Sequence, residues 1–215
     1  MDLHDLRSRL SAIGRRWNVV EGRIKEVQNI NNAVFIPAIN ELRYAGRKLV
    51  DAWSIYEDQS LDTNTRRANV EKAVTVVEQY VENAEHDVTD AICVFLHLKI
   101  RDLIERYGLS LIREYHPNIF ELIAKIDEIN DIIAESRRNR TRRNEIYDNL
   151  ETDYVPILKE KFEALRFSEK TMEMDRIIRS RKAKARFTME CVLFVLAVLG
   201  ALELFWPDWN DWWPL

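Results

Sequence analysis

Glycine and proline are scarce in this chain of 215 residues, with only five of each. Because these two residues form most tight turns, their scarcity predicts long helices joined by few turns, which is an all-α fold. Two cysteines are present, Cys93 and Cys191, and they form no CxxC pair. This spacing argues against a disulfide scaffold or a zinc knuckle and favours a reducing compartment. The first ten residues, MDLHDLRSRL, contain no apolar run, so we expect no cleavable secretion signal.

Complete catalytic motifs are also missing. The sequence contains no GxSxG, Walker or GxGxxG pattern, the motifs that position a nucleophile or a phosphate. Among helical proteins, the HEPN ribonucleases place a histidine four to six residues after an arginine. None of the four histidines follows an arginine at that distance: His4, His86, His97 and His116. We therefore predict that the chain is not an enzyme, and specifically not a nuclease of that type.

Positive charge is concentrated in two short segments that contain no acidic residue. The first, which we call the arginine cluster, consists of Arg137, Arg138, Arg140, Arg142 and Arg143. The second, the basic segment, spans residues 176–186 and carries six cations. Removing these eleven charges from the net charge of −4 leaves the rest of the chain at −15. Such separation of charge predicts contact surfaces for partners.

The C-terminal part contains a run long enough to cross a membrane. A helix over residues 187–206 would measure roughly 30 Å, the thickness of a bilayer core. Only the twelve residues 191–202 are wholly uncharged, since Glu190 and Glu203 flank them, and so short a run would also suit a buried core helix. The flanks favour a transmembrane helix, and the alternatives are a soluble amphipathic helix or an anchor lying in the membrane plane.

Both flanks have the composition of a membrane–water interface. Cations precede the run and tryptophans follow it, as expected of headgroup contacts: Arg181, Lys182, Lys184, Arg186, Trp206, Trp209, Trp212 and Trp213. Because cations favour the cytoplasmic side, we predict a single-pass protein with its N-terminus in the cytoplasm. The predicted organisation is a helical sensor and assembly domain (1–175), the basic segment, a transmembrane helix (187–206) and a tryptophan-rich interfacial tail (207–215).

The predicted span also has features of helix self-association. Ala197 and Ala201 have the small-xxx-small spacing, with Gly200 beside them, that lets membrane helices approach closely. In a lone helix Glu190 and Glu203 would face lipid, which is costly for a carboxylate. We therefore predict a homo-oligomer.

The rest of the sequence predicts a bundle of long helices. Apolar residues of the first helix recur at alternating spacings of three and four, a coiled-coil-like heptad pattern that favours packing within the bundle or against a second copy: Leu3, Leu6, Leu10, Ile13, Trp17, Val20, Ile24 and Val27. A second helix is expected from Pro37 to about Tyr56, with four apolar residues inside: Ile39, Leu42, Leu49 and Trp53.

Later helices are delimited by glycine and proline. The third is predicted over residues 63–107 with Gly108 as its C-cap, and the fourth over residues 117–150. A break is expected at DYVP (153–156), after which the last helix leads towards the membrane run.

Potential metal ligands occur on the third helix. Glu82, His86 and Asp90 are spaced four residues apart, on one helical face. That face lies opposite the apolar stripe of the same helix, and a metal would need further ligands from elsewhere. The spacing therefore favours a solvated polar face or an interface between subunits, and we predict neither a metal nor another cofactor.

The arginine cluster is the better candidate for ligand binding. On one helix its five charges would point in all directions around the axis, so an exposed tip or a helix break is expected. Anionic partners would suit it, namely nucleic acid, nucleotides or acidic lipid. The alternative is a solvated cluster that pairs with the acidic remainder of the chain.

In outline the chain resembles the small single-pass membrane effectors of bacterial antiviral defence, whose helical cytoplasmic domains bind a nucleotide or oligonucleotide signal. The resemblance is architectural and rests on the helical domain, the arginine cluster and the single span. It implies an oligomer in the bacterial inner membrane that forms a pore or channel. In such a protein the arginine cluster would meet the signal, and Glu190 and Glu203 would line or gate the pore.

A tail-anchored scaffold is the alternative function. Its heptad helix would recruit a coiled-coil partner, and the span would serve only as an anchor that tolerates leucine in place of Glu190 and Glu203. A third interpretation is a membrane-tethered nucleic-acid-binding protein without a pore, whose binding would depend strongly on salt.

Overall fold

The structure is a computed structural model that describes the backbone of residues 3–205 and the side chains of residues 4–202. It is all-helical over that range, as predicted, and residues 3–205 contain no strand. The described helices are α1 (Leu3–Asn31), α2 (Ile36–Glu57), α3 (Thr63–Tyr107), α4 (Leu109–Tyr115), α5 (Ile119–Arg138), α6 (Arg143–Asn149) and α7 (Val155–Phe205). A turn of 3₁₀-helix (Arg140–Arg142) precedes α6, and a turn of π-helix (Leu150–Tyr154) precedes α7.

Helix α3 has the predicted bounds, and local capping explains both ends. The Asp62 carboxylate accepts hydrogen bonds from the backbone N–H groups of Asn64 and Thr65, each at 3.0 Å, which satisfies donors at the helix N-terminus. At the other end Gly108 adopts a positive φ of 76°, a conformation that glycine adopts without strain. The 45 residues between them form one continuous helix of about 68 Å.

The other long helices pack around α3. Arg9 pairs with Glu78 and Arg16 with Glu85, so α1 runs parallel to α3 with a constant offset. Helix α2 runs along α3 in the opposite direction, because Phe35 contacts Phe95 and Tyr44 contacts Tyr80. Helix α7 is again parallel to α3, because Thr89 bonds to Glu151 (2.8 Å) near its start and Arg106 pairs with Glu169 (2.7 Å) further along.

The prediction of which α2 residues face inward is wrong at two positions, where the adjacent residue is the buried one. Ile39 and Trp53 are exposed, by 38% and 61%, and Leu49 is only partly buried. The buried residues are Ala38, Leu42, Ala45 and Ala52. Alanines at this spacing let the backbone of α2 lie close to α3, whereas a tryptophan or isoleucine there would hold the helices apart.

Two predicted boundaries in the C-terminal half are also wrong. The short helix α4 was not predicted, and the predicted fourth helix does not continue to residue 150 but ends at Arg138. The break expected at residues 153–156 is absent from the described chain, which stays helical from α6 through the π-turn into α7. Pro156 lacks an N–H group to donate to the preceding turn, and the wider π-turn before it accommodates the proline ring within a continuous helix.

The first part of helix α7 packs against the other helices, and the rest of its described length is mostly exposed. Its buried residues Val155, Leu158, Leu165 and Met172 face the other helices at heptad-like spacing. Beyond Met172 no described side chain of α7 is buried, although the helix continues to Phe205. The 51 residues of α7 span about 77 Å, so the helix projects well beyond the packed helices.

Candidate functional site

The arginine cluster lies at a helix break, as predicted. Helix α5 ends where the Asn139 N–H donates to the Glu135 carbonyl oxygen (2.9 Å), and the 3₁₀ turn then leads into α6. Because a 3₁₀ turn holds three residues rather than 3.6, it changes the angular spacing of its side chains. The five guanidinium groups consequently reach different neighbours and do not form one site.

Two members of the cluster pair with acidic side chains. Arg137 donates to the Asp90 carboxylate of α3 at 3.3 Å. Arg142 makes two hydrogen bonds of 3.1 Å to Glu145 and lies 3.8 Å from Glu135. These pairs are solvent-exposed on the arginine side, where an ion pair contributes little to stability.

Arg138 and Arg140 are the members most accessible to an external anion. Both are exposed. Among the described residues, Arg138 donates only to the Ala134 carbonyl oxygen, at 3.3 Å. The Arg140 side chain has no hydrogen bond or ion pair within the part of the chain that the structure describes. An anion bound here would therefore not have to displace a carboxylate.

Arg143 points in the other direction, towards α3. Its guanidinium lies over the ring of Tyr147, 5.5 Å from the centroid, and its buried Nε has no hydrogen-bond partner among the described residues. Arg143 thus contributes charge to the interior of the site rather than to its surface.

Part of the polar face of α3 is covered by α6, so the prediction of a solvated face is wrong at His86. His86 is only 6% exposed. Its ring stacks on Tyr147 of α6, with centroids 4.0 Å apart and planes inclined by 18°. The Tyr147 hydroxyl donates to Asp90 at 2.8 Å. His86 and Asp90 therefore face a polar side chain of the same chain.

Burial shifts the titration of two α3 side chains in opposite directions. It lowers the pKa of His86 to about 4, with Arg143 and Arg16 adding to the effect, since a buried imidazole disfavours its charged form. Burial and the neighbouring Glu41 and Asp90 carboxylates raise the pKa of Asp87 to about 6. His86 is therefore neutral at pH 7, with a buried Nδ1 that has no partner among the described residues.

Residues 4–202 contain no group of three side chains arranged to hold a metal ion. Cys93 lies in the core, and burial raises its pKa to about 12. A thiol in that state is neither a ready metal ligand nor a nucleophile.

A cleft of about 380 Å³ opens beside His86 and Tyr147, between α1, α3 and α6. Its two arginines are already engaged, Arg16 by Glu85 and Arg23 by Glu151 and Thr89. With four carboxylates in its lining, the cleft is not an anion site.

Three arginines of α1 that link helices were not predicted from the sequence: Arg9, Arg16 and Arg23. They are spaced seven residues apart and connect α1 to α3, with Arg23 also reaching Glu151 in the π-turn. Their position beside the heptad residues of α1 is the signal that could have revealed them, because flanking charges of a heptad pair across helices.

The far end of α7 is the described part of the chain that is long and apolar enough to cross a membrane. Every described side chain of residues 187–202 is exposed, including Ala197, Gly200 and Ala201. The cations before it are exposed as well: Arg181, Lys182, Lys184 and Arg186. An apolar helix without protein neighbours needs another apolar environment.

Glu190 forms an ion pair with Arg186 one turn earlier, at 3.2 Å. This contact joins the apolar run to the basic segment. The Glu203 side chain lies outside the described residues, as do the predicted interfacial residues Trp206, Trp209, Trp212 and Trp213.

Comparisons with known proteins give no relative: no family model, no curated protein and no solved structure matches this chain.

Proposed function

We propose that this protein is an oligomeric, single-pass membrane effector with a cytoplasmic N-terminal domain, placed in the bacterial inner membrane. Its helical domain would respond to an anionic nucleotide or oligonucleotide, and its C-terminal helices would assemble into a pore. The observation that carries the proposal is α7, a single helix that begins among the packed helices and ends in an exposed apolar run.

Contacts at the start of α7 support coupling between the two parts. In the π-turn, Glu151 bonds to Thr89 and pairs with Arg23, and the Tyr154 hydroxyl donates to Glu128 at 2.6 Å. Three helices, α1, α3 and α5, therefore hold this turn. The arginine cluster lies only one short helix before it, so a ligand that moves α6 acts directly on the base of α7.

Helix geometry favours Glu190 as the carboxylate of a helix–helix interface. At about 100° per residue, Glu190 lies within about 20° of both Ala197 and Ala201 around the helix axis. Glu203 lies about 140° away from Glu190 by the same reasoning. The two acids therefore cannot face one pore axis together in a straight helix. We assign the role of lining or gating the proposed pore to Glu190 alone.

The alternative of a coiled-coil scaffold has less support. Four heptad residues of α1 are buried in the core of the same chain: Ile13, Val20, Ile24 and Val27. A partner could reach this face only if α1 left α3 and broke the Arg9–Glu78 and Arg16–Glu85 pairs.

The mass of the detergent-solubilised particle tests the proposed assembly. We expect the full chain to form a defined oligomer and the chain without residues 187–215 to contain fewer subunits, because the proposed pore interface lies in the span. A monomeric full chain, or a truncated chain with the same subunit number, would contradict the proposal.

Conductance of the full chain in planar bilayers then tests the pore. We expect Glu190→Leu to abolish or alter conductance, because it removes the carboxylate at the proposed interface. Glu160→Leu, an exposed residue of α7 outside the apolar run, serves as the control. Unchanged conductance in Glu190→Leu would instead favour a simple anchor.

Binding of a single-stranded DNA oligonucleotide tests the arginine cluster. We expect the double variant Arg138→Ala, Arg140→Ala to bind more weakly. Binding by this variant should also depend less on salt. Each lost phosphate contact lowers the slope of log K against log salt by about 0.7, so the loss of two contacts lowers it by about 1.4. Arg101→Ala, a distant exposed arginine of α3, should leave affinity and slope unchanged. Equal losses in both variants would contradict a specific role for the cluster.

A further inference from the structure

Helix α7 carries a second apolar stripe on the face opposite its packed face. Ala164, Phe167, Thr171, Met174 and Ile178 are all exposed, and they recur at spacings of three and four. Around the axis they fall within about 80° of each other, roughly 150° from the buried residues of the same helix.

Three large apolar side chains of this stripe are more exposed than is usual for residues of their size. Phe167 is 90% exposed, Met174 59% and Ile178 44%. Single exposed apolar residues are common, but an aligned row on one helix marks a contact surface. The row begins before the basic segment and ends inside it at Ile178, and it stays outside the apolar run of 187–206.

We propose that this stripe is a self-association surface, which α7 of a second copy covers in parallel orientation. The inference rests on the proposed function in one respect: copies anchored in one membrane by the same helix are parallel and at equal height. In that arrangement each stripe residue meets its own counterpart. The alternating spacing of three and four is what a parallel helix pair requires.

The charges beside the stripe agree with a second copy as the occupant. Lys170 and Asp175 flank the stripe on opposite sides and are five residues apart. At this spacing, a charge on one helix of a parallel heptad pair meets the opposite charge on the other helix. Within the chain, Asp175 accepts from the Tyr115 hydroxyl at 2.8 Å, and Lys170 has no partner among the described residues.

Disulfide cross-linking of the full chain in liposomes tests this surface, in a Cys191→Ser background that removes the exposed native thiol. We expect Phe167→Cys and Met174→Cys to form disulfide-linked dimers at least tenfold faster than Arg166→Cys. Arg166 is a suitable control because its side chain is 64% exposed yet lies about 120° from the centre of the stripe. A disulfide needs β-carbons about 4 Å apart, which only residues facing their own counterparts provide.

Cross-linking at Ala201→Cys separates this inference from the proposed oligomer. If Ala201→Cys cross-links while Phe167→Cys and Met174→Cys react no faster than Arg166→Cys, the stripe is not the contact and the assembly depends on the span alone. If none of the positions cross-links, the inference and the proposed oligomer both fail. Since Phe167 is almost fully exposed, its replacement leaves the packing of the chain intact, so loss of folding does not confuse the result.

Discussion

Replacing Tyr147 with alanine should destabilise the helical domain more than any other single change at the site. Tyr147 is 3% exposed, and removing a buried aromatic side chain costs about 3–5 kcal/mol. The variant also loses the stacking partner of His86 and the hydroxyl that donates to Asp90. For a chain of this size we expect the thermal midpoint, followed by circular dichroism in detergent, to fall by about 6–20 °C.

Two further variants separate the contributions of Tyr147. Tyr147→Phe keeps the ring and removes the hydrogen bond to the Asp90 carboxylate together with the longer contact from Ser136, so it should cost about 1.5–3 kcal/mol. Tyr56→Ala changes a tyrosine that is 45% exposed and should stay within about 0.5 kcal/mol of the unmodified chain. A Tyr147→Ala midpoint as high as that of Tyr56→Ala would show that α6 does not stabilise the polar face of α3.

The importance of Tyr147 illustrates which features local sequence can predict. The bounds of α3 depend on Asp62 and Gly108, which act on their immediate neighbours, so they can be derived from the sequence. The apolar run and its flanking cations are likewise contiguous. Which face of α3 is covered depends on α6, about 60 residues later, and no local pattern reveals that Tyr147 stacks on His86.

The prediction of the inner face of α2 was wrong for a related reason. A hydrophobicity pattern favours Ile39 and Trp53 over their smaller neighbours Ala38 and Ala52, but the distance between helices decides which residues fit. Close approach to α3 selects the alanines. The position of the arginine cluster could be predicted, since its charges fit no single helical face. Its division into paired and accessible members could not, because Arg137 reaches Asp90 on α3.

The buried histidine predicts a pH dependence of stability that its replacement should remove. His86 has a pKa of about 4 in the folded protein and about 6.5 in an unfolded chain. Above pH 6.5 both states carry a neutral ring. Between pH 6.5 and 4 the unfolded chain binds the proton more readily, so this group costs the fold about 3 kcal/mol of stability as the pH falls through that range.

Asp87 acts in the opposite direction over a similar range. Its raised pKa, about 6, means that the folded state binds a proton before the unfolded state does, so protonation of Asp87 stabilises the fold as the pH falls. The unmodified chain therefore shows only the difference between the two effects. Single variants are needed to measure each one.

Urea unfolding of His86→Phe and of the unmodified chain, compared at pH 7 and pH 4, isolates the histidine. Phenylalanine keeps an aromatic ring against Tyr147 and cannot titrate. We expect the stability of the unmodified chain relative to His86→Phe to fall by about 3 kcal/mol between these pH values. In contrast, Asp87→Asn should be most stabilising above pH 6 and should lose that advantage towards pH 4. His116→Phe is the control, because its histidine is less buried and its pKa is lowered in the same direction. A difference as small for His86→Phe as for this control would show that His86 is not held neutral by the contact between α3 and α6.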